Sequence, residues 1–194
     1  MYLELMIMDA LTALHNRVSE PRLTGPAPSA EQLEALFQAA LRAPDHARLR
    51  PWRFLVLEGQ GLERLGELFA EAALARVGDP QAPEVLRAPS LPQRAPLMVV
   101  AISSPKLHPK VPESEQDMSC AVAVGNMLVA AHALGLGAVW RTGEPAYDPL
   151  IREGLGLQAH EKIIAYLYLG QAMGGARSVP ALDSRDFFHR WPAN

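Results

Sequence analysis

Three short stretches combine arginine with small polar or aromatic residues in a pattern that could hold an anionic ligand. The first is Asn16-Arg17-Val18-Ser19, with Arg22 just beyond it. A guanidinium and a hydroxyl two residues apart at a turn suit a phosphate, because one is a charged fork and the other a further donor. The same residues also suit a plain helix end, where Arg17 complements the macrodipole. The second stretch runs from Arg42 through Asp45, His46, Arg48, Arg50 and Trp52 to Arg53 and Phe54, stiffened by Pro44 and Pro51. Loops of this make-up carry function when a rigid scaffold aims them. The plainer alternative is a tryptophan that plugs the core among solvating arginines. The third stretch is Trp140-Arg141-Thr142-Gly143. Arginine in an otherwise apolar strand is costly if buried alone, so Arg141 meets solvent, an ordinary ion pair or a negative ligand.

Other chemistries leave no trace. Gly135-Leu136-Gly137 lacks the third glycine of a dinucleotide fingerprint, with Trp140 in its place. There is no Walker loop and no nucleophile elbow. The histidines (His15, His46, His108, His132, His160 and His189) show no metal-ligand spacing. Cys120 lies among apolar neighbours and reads as a small core hydrophobe rather than a nucleophile. No catalytic residue and no metal ligand is assigned.

The elements that must position the three clusters follow from hydrophobic spacing. Met8, Leu11 and Leu14 predict a first helix over 8–17, ending before the proline-marked stretch from Pro21 to Pro28. Ser29 and Gln32 have capping-box spacing and open a second helix, with Leu33, Leu36, Phe37, Ala40 and Leu41 on one face until Pro44 stops it. Strands are expected at 53–58, 97–102, 138–142 and 163–169, and further helices over 62–77, 113–134 and 149–155. Residues 78–96 read as a polar, proline-rich loop. The helix over 113–134 is apolar nearly all round, so burial on most of its sides is expected. From Gly170 onward the chain is polar and carries Phe187, Phe188 and Trp191, the pattern of an arm that packs on something other than its own helix.

Strands alternating with helices argue for a layered α/β or α+β architecture. With 194 residues, 49% of them hydrophobic and 20% charged, the chain is expected to form one domain over 1–194. Residues 1–7 read as an extension and 170–194 as a C-terminal arm. Eighteen basic against 21 acidic residues leave a net charge of -3, which gives no electrostatic footprint for nucleic acid or an anionic membrane. A single cysteine excludes a disulfide framework within one chain. The apolar opening is short, carries Glu4 and lacks a basic start, so neither a signal peptide nor a membrane span is expected. The cytoplasm is the expected location.

Taken together, Asn-Arg-x-Ser at 16–19, Arg-Ala-Pro-Asp-His at 42–46 leading into Pro-Trp-Arg-Phe at 51–54, and Trp-Arg-Thr-Gly at 140–143 resemble the nitroreductase family, and more narrowly its small YdjA-like members. The resemblance runs from Met8 to about Gly170. It implies an α+β fold with a central mixed sheet flanked by helices, an intertwined homodimer, and FMN at the subunit interface. It also implies an oxidoreductase that moves hydride from NAD(P)H through FMN to a nitroaromatic, quinone or similar small-molecule acceptor. Under the resemblance, Arg17 and Ser19 bind the phosphate and ribityl region and Val18 adds main-chain contact. Arg42 and His46 complete the site, from the same or the opposite subunit, and Trp140, Arg141 and Thr142 lie along the cofactor. A guanidinium beside a flavin stabilises the charge of its reduced form, so positioning rather than proton transfer would supply most of the rate. A dimeric flavin-binding storage or sensing protein without nicotinamide turnover stays open as an alternative. Departures from the family pattern are Val18 in place of a second arginine, and Arg48 and Arg50 where an asparagine and a glutamine are usual. Arg177 is the candidate for the basic residue of the C-terminal arm.

Overall fold

In the computed structural model, which describes residues 8–174 and 177–192, the apolar run Leu97–Ser103 is the central strand and every residue of it is buried. The expected extension over 1–7 lies outside the described residues. In chain order the elements are α1 (Ala10–Asn16), β1 (Leu23–Thr24), α2 (Ala30–Ala40), β2 (Trp52–Glu58), α3 (Gln60–Val77) and α4 (Pro83–Arg87). They continue with β3 (Leu97–Ser103), α5 (Glu113–Ala133), β4 (Gly137–Arg141), α6 (Pro149–Gly154) and β5 (Lys162–Ala172). This is an α+β fold in three layers, with α3 on one face of the sheet and α2 and α5 on the other.

The sheet runs β2-β3-β5, and β5 also pairs with β4 and, at its far end, with β1. All these pairings are antiparallel. The expectation of a mixed sheet is therefore not met among the described residues; parallel neighbours need a long crossover, and these strands return in the opposite direction. Alternation along the strands builds two cores. Val100, Ile102, Val139, Tyr166 and Tyr168 face α3, and Val99, Ala101, Ala138, Leu167 and Leu169 face α5.

Local signals account for most element ends. Ser29 and Gln32 form the reciprocal capping box, and Asp9 caps α1. α3 closes on Gly78 in the left-handed region, where the missing side chain removes the strain. The stretch 78–96, expected to be a loop, instead holds α4 and 3₁₀ turns at Ala88–Ser90 and Pro92–Arg94. Three of its five prolines, Pro83, Pro89 and Pro92, occupy first-turn positions, where no amide donor is needed.

α5 also departs from expectation. Gln116, Cys120, Ala123, Val124, Met127 and Ala131 are buried, but Met118 is 64% exposed and Val122 42%, and space is open around Gly125. One side of the helix is thus uncovered within a single chain. Beyond β5 the described residues from Met173 to Pro192 are all exposed, Trp191 to 94%. No helix among the described residues is long and apolar enough to cross a membrane.

Candidate functional site

The chain that follows the first cluster runs against β4, the strand that ends in the third. The amide of Glu20 donates to the Ala138 carbonyl at 2.9 Å. Leu23 lies against Gly137, whose missing side chain gives it room. The chain from Glu20 to Leu23 therefore runs along the start of β4, and Arg17–Ser19 immediately precede it. Arg17 itself is the C-cap of α1. Its side chain makes no hydrogen bond to any described residue, and Nη1 is buried without a partner. Two other buried nitrogens share that state, His132 Nε2 and Arg152 Nε. Arg152, however, already donates through Nη2 to the carbonyls of Ala159 and Glu161. Arg17 has no such anchor, and an unpaired buried cation is expensive.

Val18 is half-buried and Ser19 exposed. The carbonyl of Ser19 accepts a bond from Arg177 Nη1 at 2.9 Å, so the arm's candidate cation arrives at the first cluster. A small cavity of about 240 Å³ opens there among Glu20, Arg22, Gly174 and Arg177.

Strand alternation divides the third cluster. Trp140 packs on the α5 side, its indole nitrogen donating to the Ile164 carbonyl at 3.1 Å. Arg141 points to the opposite, α3 side, into a cavity that also touches Thr142. The three side chains therefore do not share one surface.

The second cluster lies elsewhere in this chain. It leads into β2, separated from β4 by β3 and β5, on the order of 14 Å across the sheet at roughly 4.8 Å per strand. Arg42 is exposed just past α2. His46 Nδ1 lies 2.9 Å from Glu115 Oε2 at the start of α5. The Asp45 carboxylate accepts from the amides of Leu49 and Arg50 at 3.1 and 2.7 Å. Ala47, Arg48 and Arg50 all have φ between 50° and 63°, a left-handed conformation that non-glycine residues adopt at a cost of about 1 kcal/mol or more each. A cavity of about 660 Å³ is lined by Arg42, Asp45, Arg48, Arg50 and Trp52. Strain concentrated beside such a hollow is a mark of a functional loop.

Arg53, grouped with this loop by sequence, has a structural role. Its Nε and Nη2 meet the buried Glu161 carboxylate at 2.8 and 2.6 Å. That pairing, 108 residues apart, leaves no local sequence signal. Cys120 is fully buried, and burial, with Asp117 nearby, pushes its thiol up to about 12, so it is no nucleophile.

The nitroreductase family matches residues 15–171, and the chain belongs to it, an oxidoreductase by family. Among individual relatives it is 42% identical to YdjA of Escherichia coli K12, provisionally named an NAD(P)H nitroreductase, over 84% of this chain and 88% of that one. A Haemophilus influenzae protein of the same provisional name is 38% identical over 93% and 98%. A solved nitroreductase-like family protein from Bacillus cereus has the same fold, with a TM-score of 0.81 at 21% identity, covering 96% and 97% of the two chains. So has a Bacteroides fragilis nitroreductase solved with bound FMN, with a TM-score of 0.72 at 23% identity over 94% and 98%.

Proposed function

We propose that this protein is an FMN-dependent oxidoreductase, active as a homodimer, that carries hydride from NAD(P)H to a nitroaromatic, quinone or similar organic acceptor. The observation that carries the reading is the Arg17 guanidinium, with one end buried and no partner, in a chain of this family. Relatives of 42% and 38% identity named as NAD(P)H nitroreductases support the activity.

Arg17 presents a charged fork to an anionic group, and the Ser19 hydroxyl and Val18 main chain flank it. Arg177, already on Ser19, adds positive charge from the arm. Trp140, held by its bond to Ile164, gives a rigid aromatic wall that excludes water without moving. Arg42 and His46 lie across the sheet in one chain, so a second copy has to bring them to the first copy's Arg17 and Trp140. FMN, when bound, supplies the hydride chemistry, accepting from the nicotinamide and giving to the acceptor. The protein's own contribution is positioning and charge, and no side chain needs to move a proton. Nicotinamide and acceptor take turns in one site, which gives ping-pong kinetics.

The test is the cofactor content of the protein purified without added flavin. Heat release is expected to yield FMN in near one-to-one ratio with chains, and Arg17→Ala to lower that ratio at least tenfold at equal folded protein. A colourless protein that also fails to take up added FMN would overturn the reading.

A further inference from the structure

Arg141, turned away from Trp140, opens into a cavity of about 410 Å³ between α3, α4, the end of β4 and the middle of β5. One wall is apolar, built by Phe69, Ala72 and Ala73 of α3. The floor is Tyr166 and Tyr168, whose hydroxyls already donate to the carbonyls of Pro145 and Leu91 at 2.9 and 3.1 Å. Four arginines line the space against three carboxylates. Of these, Arg76 pairs with Glu144, and Asp148 accepts from the amides of Leu150 and Ile151. Glu84 is the remaining carboxylate. Arg87, Arg94 and Arg141 form no side-chain hydrogen bond or ion pair with the described residues.

The charges are also unevenly spread. Burial raises both tyrosine hydroxyls. Arg94 and Arg141 sit close enough to Tyr168 to oppose that rise, while Asp148 adds to it at Tyr166. The cavity thus has a cationic end at Tyr168 and an apolar side against α3. Its size falls in the range of small-molecule pockets, roughly 300–1,000 Å³. Guanidinium groups there recognise oxyanions with charge-assisted bonds.

We infer that this cavity binds a small organic anion, its carboxylate or phosphate held by Arg94 and Arg141 with Arg87 beside them, its apolar body against Phe69 and Ala73. The site lies on the face of the sheet opposite Trp140, and it stands whether or not the flavin reading holds. In a protein of net charge -3 it is a local reversal of sign that the overall balance conceals.

Titration calorimetry of the purified full-length protein tests it, with benzoate, phenyl phosphate and inorganic phosphate as probes. Saturable binding of one aromatic anion per chain is expected, at least about tenfold tighter than inorganic phosphate, which has no apolar body. The better of benzoate and phenyl phosphate tells a carboxylate from a phosphate site. Arg94→Gln and Arg87→Gln, both at exposed positions, should each weaken that binding about tenfold while flavin content stays at the wild-type ratio. The proposal is overturned if neither aromatic anion saturates, if inorganic phosphate binds as tightly, or if both variants bind like wild type. Loss of flavin from Arg94→Gln would overturn the separation of the two sites.

Discussion

Arg17 and Arg53 are alike in the sequence, each an arginine at an element end near an aromatic or hydroxyl residue, and both are half-buried; a partner separates them. Arg53 meets Glu161, a carboxyl only 3% exposed, and mainly that hydrogen bond holds Glu161 down at about 2 against an ordinary 4.5. A carboxyl with a depressed folded value stabilises the protein above its unfolded value, and that contribution is lost as pH falls from about 4.5 through about 2. The contribution is on the order of 2–3 kcal/mol. Glu161→Gln should therefore be less stable near neutrality and show a flatter decline on acidification, read from urea midpoints at pH 6 and pH 3; parallel declines in both proteins would refute this assignment. Arg17 was legible because its neighbours Asn16 and Ser19 are local. Arg53 was not, because its partner comes from the far end of the chain.

At the scale of elements, the capping box at Ser29 and the apolar runs of β3 and β5 were readable because caps and burial patterns act locally. β1 was missed, since two residues pairing with Ala172 and Gln171 carry no periodicity. The proline-rich segment 78–96 was misread because prolines also start helical turns. Its turns matter to packing. Gly66 of α3 lies so close to the Ala88–Ser90 turn that a Cβ would stand 2.3 Å from the Pro89 carbonyl oxygen, a main-chain atom that cannot swing aside. Gly66→Ala should cost about 2 kcal/mol or more through overpacking, a fall of roughly 5 °C in Tm by thermal denaturation. An unchanged or raised Tm would mean that α3 and this turn are not in contact in solution.

For the whole molecule, the uncovered residues form the pattern that the sequence marked as needing burial. Met118 and Val122 on α5, Leu11 and Leu14 on α1, and Phe187, Phe188 and Trp191 on the arm are all exposed. Apolar surface on this scale marks an interface, and a second copy that covers it would also supply Arg42 and His46. Under the proposed dimer, half of the candidate site was readable as residues but not as a place, because a second chain would complete it. Val122→Glu, a charge on the open side of α5, should yield a monomer by light scattering that has lost its flavin; a dimer with full flavin would place the interface elsewhere. The claim that joins all three scales is hydride transfer, and it is tested most directly by mixing the flavin-loaded protein with NADH or NADPH in the absence of oxygen. The visible flavin absorbance should bleach with at least one of the two nicotinamides and return when a quinone is added. Absorbance that persists with both would contradict an oxidoreductase and leave a flavin-binding protein that stores or senses.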